Sequence, residues 1–470
     1  MLTTPRDRSL LAQLWQDLDG PSGALDAVEL RGPEHTLPSV YEVSALASAS
    51  VAAATLAAAE LAAARSGGAI PQVTIEREHA ATAFACERHL HAINWELPAG
   101  WDSLAGDYAC RDGFIRLHTN YAHHRAAVTQ VLGTKQDRGV VRDAVLGWDG
   151  DVLENAVVAA GGCAAFMRSP AAWRQHPQGQ ALAAEPLFTR EHWRCEPLDL
   201  ESAATAGSPE SAGPLAGVRV LDLTRVIAGP VATRFLAAWG ADVLRIDPPG
   251  FEEVGALLAE VTVGKRRASL DLHEPADRQQ FEALMTGAHV IVHGYRSDAL
   301  AKLGYGSAQL RALNPNAAQI THAAYGFAGP WATRRGFDSL VQMSSGIAWR
   351  GREVLESDKP QPLPVQALDH ATGYLLAAAA CRALTVRSQQ QQASRYATSL
   401  ARVATCLTSL GDQGDIRAPA LAHAQIAPWL EQAETTFGQV QRVRPVGHMA
   451  GHTPRWPHPA GPLGSDAAAW

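Results

Sequence analysis

Residues 217–250 read GVRVLDLTRVIAGPVATRFLAAWGADVLRIDPPG. Val218, Val220, Leu221 and Leu223 form a short apolar run that suits a strand buried on both faces. A turn at 224–229 follows. Pro230 then stands where helices begin, because its missing N–H would have no partner there. Val231, Phe235, Ala238 and Trp239 share one helical face, and Gly240 is placed to end the helix. A second strand is expected over 241–246. The stretch is therefore a βαβ unit. Ligands of open parallel sheets gather at the carboxyl ends of the strands, and a helix N-terminus there favours anions.

Working outward, the further stretches GKRRASLDLHEP (264–275), ALAKLGYGSAQLRALNP (299–315) and YGFAGPWATRRGFDSLVQMSSG (325–346) continue in order after 215–250. Together they resemble the class III CoA-transferases, the family of formyl-CoA transferase, carnitine CoA-transferase and methylacyl-CoA racemase. The resemblance covers about 215–400. It implies an α/β fold, with a doubly wound parallel, Rossmann-like sheet in a large domain and a smaller α+β domain beside it.

The composition agrees with a globular chain. Of 470 residues, 47% are hydrophobic and 19% charged, and the net charge is −7. That balance excludes an electrostatic footprint for nucleic acid or an anionic membrane. The six cysteines are scattered without a C-x-x-C pair, which points to a reducing, cytoplasmic setting and away from a zinc site. The N-terminus lacks the core of a signal peptide. The run 43–59 is mostly alanine and reads as a helix of a soluble protein, not a membrane span.

Five regions are expected: a partial family copy at 1–100, a small α+β domain at 101–195, a linker at 196–214, a Rossmann-like CoA-binding domain at 215–436, and a C-terminal wrapping tail at 437–470. Residues 43–65 are a strong helix former ended by Gly67-Gly68. Residues 47–65 and 369–387, both alanine-rich and ending in Arg, read as an internal repeat that places Ala47 opposite Asp369. An Asp112-Gly113 turn predicts a hairpin, helices are expected near 122–132 and 150–160, and Ser169-Pro170 opens a short helix. The small domain thus precedes the sheet, the reverse of the family order. At 388–392 a Ser-Gln run stands where the family has a glycine-rich turn.

Asp369, in LDHATGY ahead of an alanine-rich helix, is the candidate nucleophile, because the resemblance places the family's catalytic aspartate there. Taken alone, the position also suits a helix-capping aspartate. Ala47 has no carboxylate, so the first copy would be chemically silent. The candidates for holding CoA are Arg225, Arg245, Gly264, Lys265, Arg266, Tyr295 and Arg296, all near strand ends, where Arg grips phosphate in a fork and Lys as a point charge. Phe337 occupies the place where the racemase branch carries a histidine base, which argues for transfer over racemisation. His118, His123 and His124 read as solvated or hydrogen-bonded, without the partners of a metal site.

The expected activity is movement of CoA between carboxylic acids through an aspartyl mixed anhydride and an aspartyl-CoA thioester. No cofactor is bound permanently, since coenzyme A or acyl-CoA is the substrate. The alternatives are a non-catalytic acyl-CoA-binding or scaffold protein, then an acyl-CoA racemase or lyase. The partners are acyl-CoA and small carboxylic acids, with neither nucleic acid nor membrane. The resemblance also implies a homodimer.

Overall fold

The computed structural model describes residues 5–198, 213–296, 299–412, 416 and 419–470. Most of the expected linker, 199–212, lies outside the described residues.

Seven strands make the central sheet: β1 (Thr189–Arg194), β2 (Arg219–Leu223), β3 (Asp242–Asp247), β4 (Arg266–Ser269), β5 (Val290–His293), β6 (Ala318–Ala323) and β7 (Gln392–Ser399). Their spatial order is β4-β3-β2-β5-β6-β7-β1. All neighbours are parallel except β7 and β1. The expected parallel sheet is present, and its direction of winding reverses between β2 and β5. β1 comes from the stretch expected to close the small domain. It is instead the antiparallel edge of the large sheet.

The strands alternate their side chains between two cores, as period-two geometry requires. Val220, Val243, Val290 and Val292 face one core. Leu221, Leu244, Ile246 and Ile291 face the other, against Phe281 and Leu284. Helices cover both faces, so the sheet is doubly wound.

The helices that position the site are α1 (Val43–Ser66), α2 (Ala122–Leu132), α3 (Ala228–Ala238), α4 (Asp338–Ser344) and α5 (Ala367–Gln390). α1 is long and apolar enough to cross a membrane, but it is buried almost throughout in the protein core. It packs along α5, and both helices have 24 residues. Each begins after the same backbone turn, with Val43 N–H on Tyr41 O and Ala367 N–H on Val365 O, both at 2.7 Å. Each ends on a left-handed residue, Gly67 at φ +67° and Gln391 at φ +56°. Gln391 thus takes the conformation usually left to glycine. Matching the helix starts pairs Asp369 with Ala45, which corrects the pairing with Ala47 by two residues. Alanine holds the position either way.

Residues 104–166 build a separate small core around the hairpin Gly106–Cys110 and Gly113–Leu117, with α2 packed behind it, whereas Trp173, Leu182, Leu187 and Phe188 join the main core. The tail is more regular than its composition suggests. Gly438–Val443 pairs with Leu430–Thr435 and His91–Ile93. Beyond it the chain covers the outer edge of β4: Asp466 pairs with Arg267, and Trp470 Nε1 donates to Leu284 O at 2.8 Å. A covered edge strand cannot recruit a foreign strand.

Candidate active site

The carboxyl ends of β2 and β5 diverge at the point where the sheet reverses its winding. A cleft of about 440 Å³ opens there. Leu223, Arg225 and Val226 line one side, and Gly294, Tyr295 and Arg296 the other. Asp369, at the head of α5, lines the same cleft.

Arg225 is held rather than loose. Its NH2 donates to the Tyr295 hydroxyl at 3.2 Å, its Nε lies 3.7 Å from Asp247 Oδ1, and its guanidinium lies 3.9 Å above the Phe251 ring. Its side chain remains 28% exposed, so part of the charge is available to a ligand. The next residue, Val226, sits at φ +66°. That conformation is costly for a β-branched residue and marks stored strain. Glu253 fixes it by accepting the Val226 N–H at 3.1 Å, and also accepts from the Tyr121 hydroxyl at 3.0 Å.

Asp369 is only 8% exposed. Its backbone N–H donates to Asp338 Oδ2 at 3.0 Å, so two carboxyl groups share one helix terminus. Burial, then the charges of Asp338 and Glu87, holds the Asp369 carboxyl well above the usual carboxylate range. Burial likewise pushes Asp338 up to about 6, against the hydrogen bonds it accepts from Asp369 and Gln342. The following residue, His370, donates from Nε2 to Glu87 Oε1 at 2.8 Å.

Four of the residues expected to hold CoA lie elsewhere. Arg245 has no exposed side chain and is locked onto Asp247 and Glu253 at 2.7 and 3.0 Å. Lys265 is fully buried, 2.9 Å from Asp222. Gly264 is no phosphate cradle: an added Cβ would meet Trp456 Cδ1 at 2.6 Å. Arg266 pairs with Asp242 and with the C-terminal segment. For three of them the reason is geometric: Gly264 to Arg266 lead into β4 and lie at its amino end, whereas ligands meet the carboxyl ends of parallel strands; Arg245 is withdrawn by its two acids instead. Arg225, Tyr295, Arg296 and Asp369 are the ones brought together.

Several cleft residues carry weaker sequence signals. Tyr121, His123 and His124 come from the small domain, and Arg334, Arg335 and Phe337 follow the turn after β6. The three histidines, read from the sequence as solvated or hydrogen-bonded, form a cluster here in which His123 is exposed while His118 and His124 are buried. His118 stacks on Phe337 with ring centroids 3.6 Å apart, and His124 meets the same ring edge-on at 6.0 Å. Burial lowers His118 and His124 to about 3, so both imidazoles are neutral at physiological pH. The run of histidines at 118–124 was the available signal.

Cys86, Glu87 and His370 bring potential metal-ligand atoms within 4.8 Å of one another. In this structure these groups serve other partners: Arg234 NH2 donates to Cys86 Sγ at 3.3 Å, and His370 Nε2 donates to Glu87 Oε1 at 2.8 Å.

A doubly wound α/β sheet with guanidinium groups and a buried carboxyl in its switch-point cleft is the arrangement in which open α/β proteins take anionic ligands. The comparisons point to a particular family: residues 215–413 match the model of CoA-transferase family III. It is 32% identical over 242 residues to an acyl-CoA transferase of Gibberella moniliformis, covering 48% of this chain and 40% of that one. It is 34% identical over 191 residues to a probable fatty acyl-CoA transferase of Mycobacterium tuberculosis, covering 38% and 48%. It is 33% identical over 157 residues to the succinate–glutarate CoA-transferase of Agrobacterium fabrum, covering 30% and 39%. The chain thus spans about half the length of these relatives or less. Among solved structures it matches a Mycobacterium tuberculosis protein at 31% identity and TM-score 0.38, over 43% of this chain and 59% of that one.

Proposed function

We propose that the protein transfers CoA between carboxylic acids, with Asp369 as the nucleophile. The observation that supports this reading is that Asp369 opens onto the same cleft as Arg225, Tyr295 and Arg296. The cleft's cations hold the CoA phosphates as forked donors. An oxygen of ionised Asp369 attacks the thioester carbonyl and expels the CoA thiolate, leaving a mixed anhydride. The thiolate then attacks the Asp369 carbonyl of that anhydride. The donor acid leaves as carboxylate, and an aspartyl-CoA thioester remains. The acceptor carboxylate repeats both steps in reverse order, so CoA leaves on the acceptor and Asp369 is regenerated.

Asp338 holds the Asp369 N–H and so fixes the first turn of α5. Phe337 has no ionisable group, which keeps proton exchange at the α-carbon from acquiring a base at this position.

The test is Asp369→Ala beside Asp369→Asn, assayed for acyl exchange and for CoA binding. Both lose turnover by at least about a thousandfold and bind CoA at wild-type strength. Hydroxylamine traps an acyl or CoA adduct on the wild type only. Wild-type exchange rates in Asp369→Ala would refute the assignment. Binding of acyl-CoAs by the wild type with no adduct across a wide panel supports the non-catalytic binder instead, a reading favoured by the strong pull of this site toward a protonated Asp369.

A further inference from the structure

The wall of the cleft supplied by the small domain has a chemistry of its own. It is the first turn of α2, an 11-residue helix with no acidic residue in that turn and no side chain capping its N-terminus. Tyr121 and His123, which open it, line the cleft, as does His124. Uncapped helical N–H groups and the positive end of the helix dipole attract an anion.

Arg335 lines the same cleft. One of its N–H groups donates to Gly161 O at 3.0 Å, which ties it to the small domain. Among the described residues no carboxylate pairs with it. By contrast its neighbour Arg334 is spent on Glu154 at 2.8 Å and on the Trp331 ring at 3.9 Å. Arg335 is close enough to His123 and His124 that its charge helps to depress both imidazoles, after burial. The result is an uncompensated guanidinium and two neutral imidazoles at an uncapped helix start. This group adjoins Phe337, whose neighbour Asp338 holds Asp369.

We propose that Arg335 and the first turn of α2 bind a carboxylate at the far end of the acyl group, so that the preferred substrates are CoA thioesters of dicarboxylic acids. This rests on the acyl-CoA reading of the cleft. A terminal carboxylate would supply the partner Arg335 lacks and accept hydrogen bonds from the helix start. A methyl in its place would leave the guanidinium unpaired in a partly desolvated site, which is how a polar subsite rejects an apolar analogue.

The probes are glutaryl-CoA and pentanoyl-CoA, which differ in the terminal carboxylate, together with their dephospho forms lacking the 3′-phosphate. Binding to the wild type, Arg335→Met and Arg335→Lys is measured by calorimetry, with thermal melts as a folding control. The wild type prefers glutaryl-CoA by about tenfold or more, Arg335→Met loses that preference, and Arg335→Lys keeps part of it. Pentanoyl-CoA binds all three alike. Should Arg335→Met fail to fold, Arg335→Lys and the exposed-site variant His123→Ala are the comparison, both expected to narrow the preference. Equal weakening of both thioesters overturns the subsite, as does a loss that vanishes with the dephospho forms and so reports a CoA phosphate. Binding of both thioesters without discrimination sinks the subsite alone, while no binding of either sinks the acyl-CoA reading with it.

Discussion

Glu87 Oε1 lies 2.8 Å from His370 Nε2, so a residue outside the stretch that matches the family holds the residue next to Asp369. Burial alone would raise the Glu87 carboxyl, but His370 outweighs it and the group is held below its usual range. It is therefore a fixed negative charge near Asp369, and it contributes to the upward push on the Asp369 carboxyl. Glu87→Gln removes that charge and keeps an acceptor for His370. The acid limb of the pH profile for transfer moves to lower pH. Glu87→Ala leaves a buried imidazole N–H without its acceptor and lowers stability by roughly 1–3 kcal/mol. A pH–rate series and thermal melts on the two variants separate the effects.

The raised Asp369 carboxyl makes stability depend on pH in a stated direction. A carboxyl with a higher pKa folded than unfolded binds its proton more tightly in the folded state. Its contribution is complete below the unfolded value and is lost as pH rises through the folded one. Asp369 and Asp338 are both of this kind. Asp369→Asn therefore melts higher than the wild type at pH 8 and about equally at pH 4. Transfer has the same dependence with the opposite consequence. On the proposed mechanism only the ionised carboxyl attacks, so kcat/KM is expected to climb with pH, and Asp338→Asn to bring the climb to lower pH.

Lys265 and Arg225 separate a structural cation from a ligand-facing one. Lys265 Nζ lies 2.9 Å from Asp222 Oδ2, and neither side chain is exposed. Asp222 also accepts from the hydroxyls of Thr224 and Thr233 at 2.5 and 2.7 Å, which fixes the turn that carries Arg225. Lys265→Met leaves an unpaired buried carboxylate and costs about 3–5 kcal/mol of stability. Arg225→Ala leaves the melt nearly unchanged and weakens CoA binding about tenfold. Chemical denaturation and CoA titration of both variants check the contrast.

These outcomes show what a linear reading could reach. The strands expected at 218–223 and 241–246 were legible to within a residue and became β2 and β3, because parallel strands buried on both faces are short apolar runs. α1 was legible from alanine content and its glycine stop. Asp369 was singled out through the resemblance alone, and it lines the cleft with Arg225 and Tyr295. Lys265 and Arg245 were not separable from ligand-facing cations, because a charge run does not show which rim of the sheet it meets or which acid will bury it. That His118 and His124 pack against Phe337 was not legible for a related reason: the surface that Phe337 and Tyr121 complete is assembled from residues about 200 apart in sequence.

The packing of α1 on α5 sets how far the two parts of the chain depend on each other. Their shared face carries one buried ion pair, Glu60 with Arg382, whose side chains are 7% and 6% exposed. Arg382 is further held by Asp19 O at 2.6 Å. Burial raises the Glu60 carboxyl even though Arg382 pulls it down. Removing only the cation therefore strands an acid among alanines. Arg382→Met is expected to cost about 3–5 kcal/mol, more at pH 8 than at pH 5, because a stranded carboxyl is tolerated while protonated and not once ionised. The double variant Glu60→Leu/Arg382→Met replaces the pair with apolar bulk and returns most of that loss, since a well-packed apolar pair often equals a buried ion pair. Denaturant melts of the three proteins at both pH values measure this. A double variant no better than Arg382→Met would mean that Arg382 acts chiefly through the loop at Asp19 and not through Glu60.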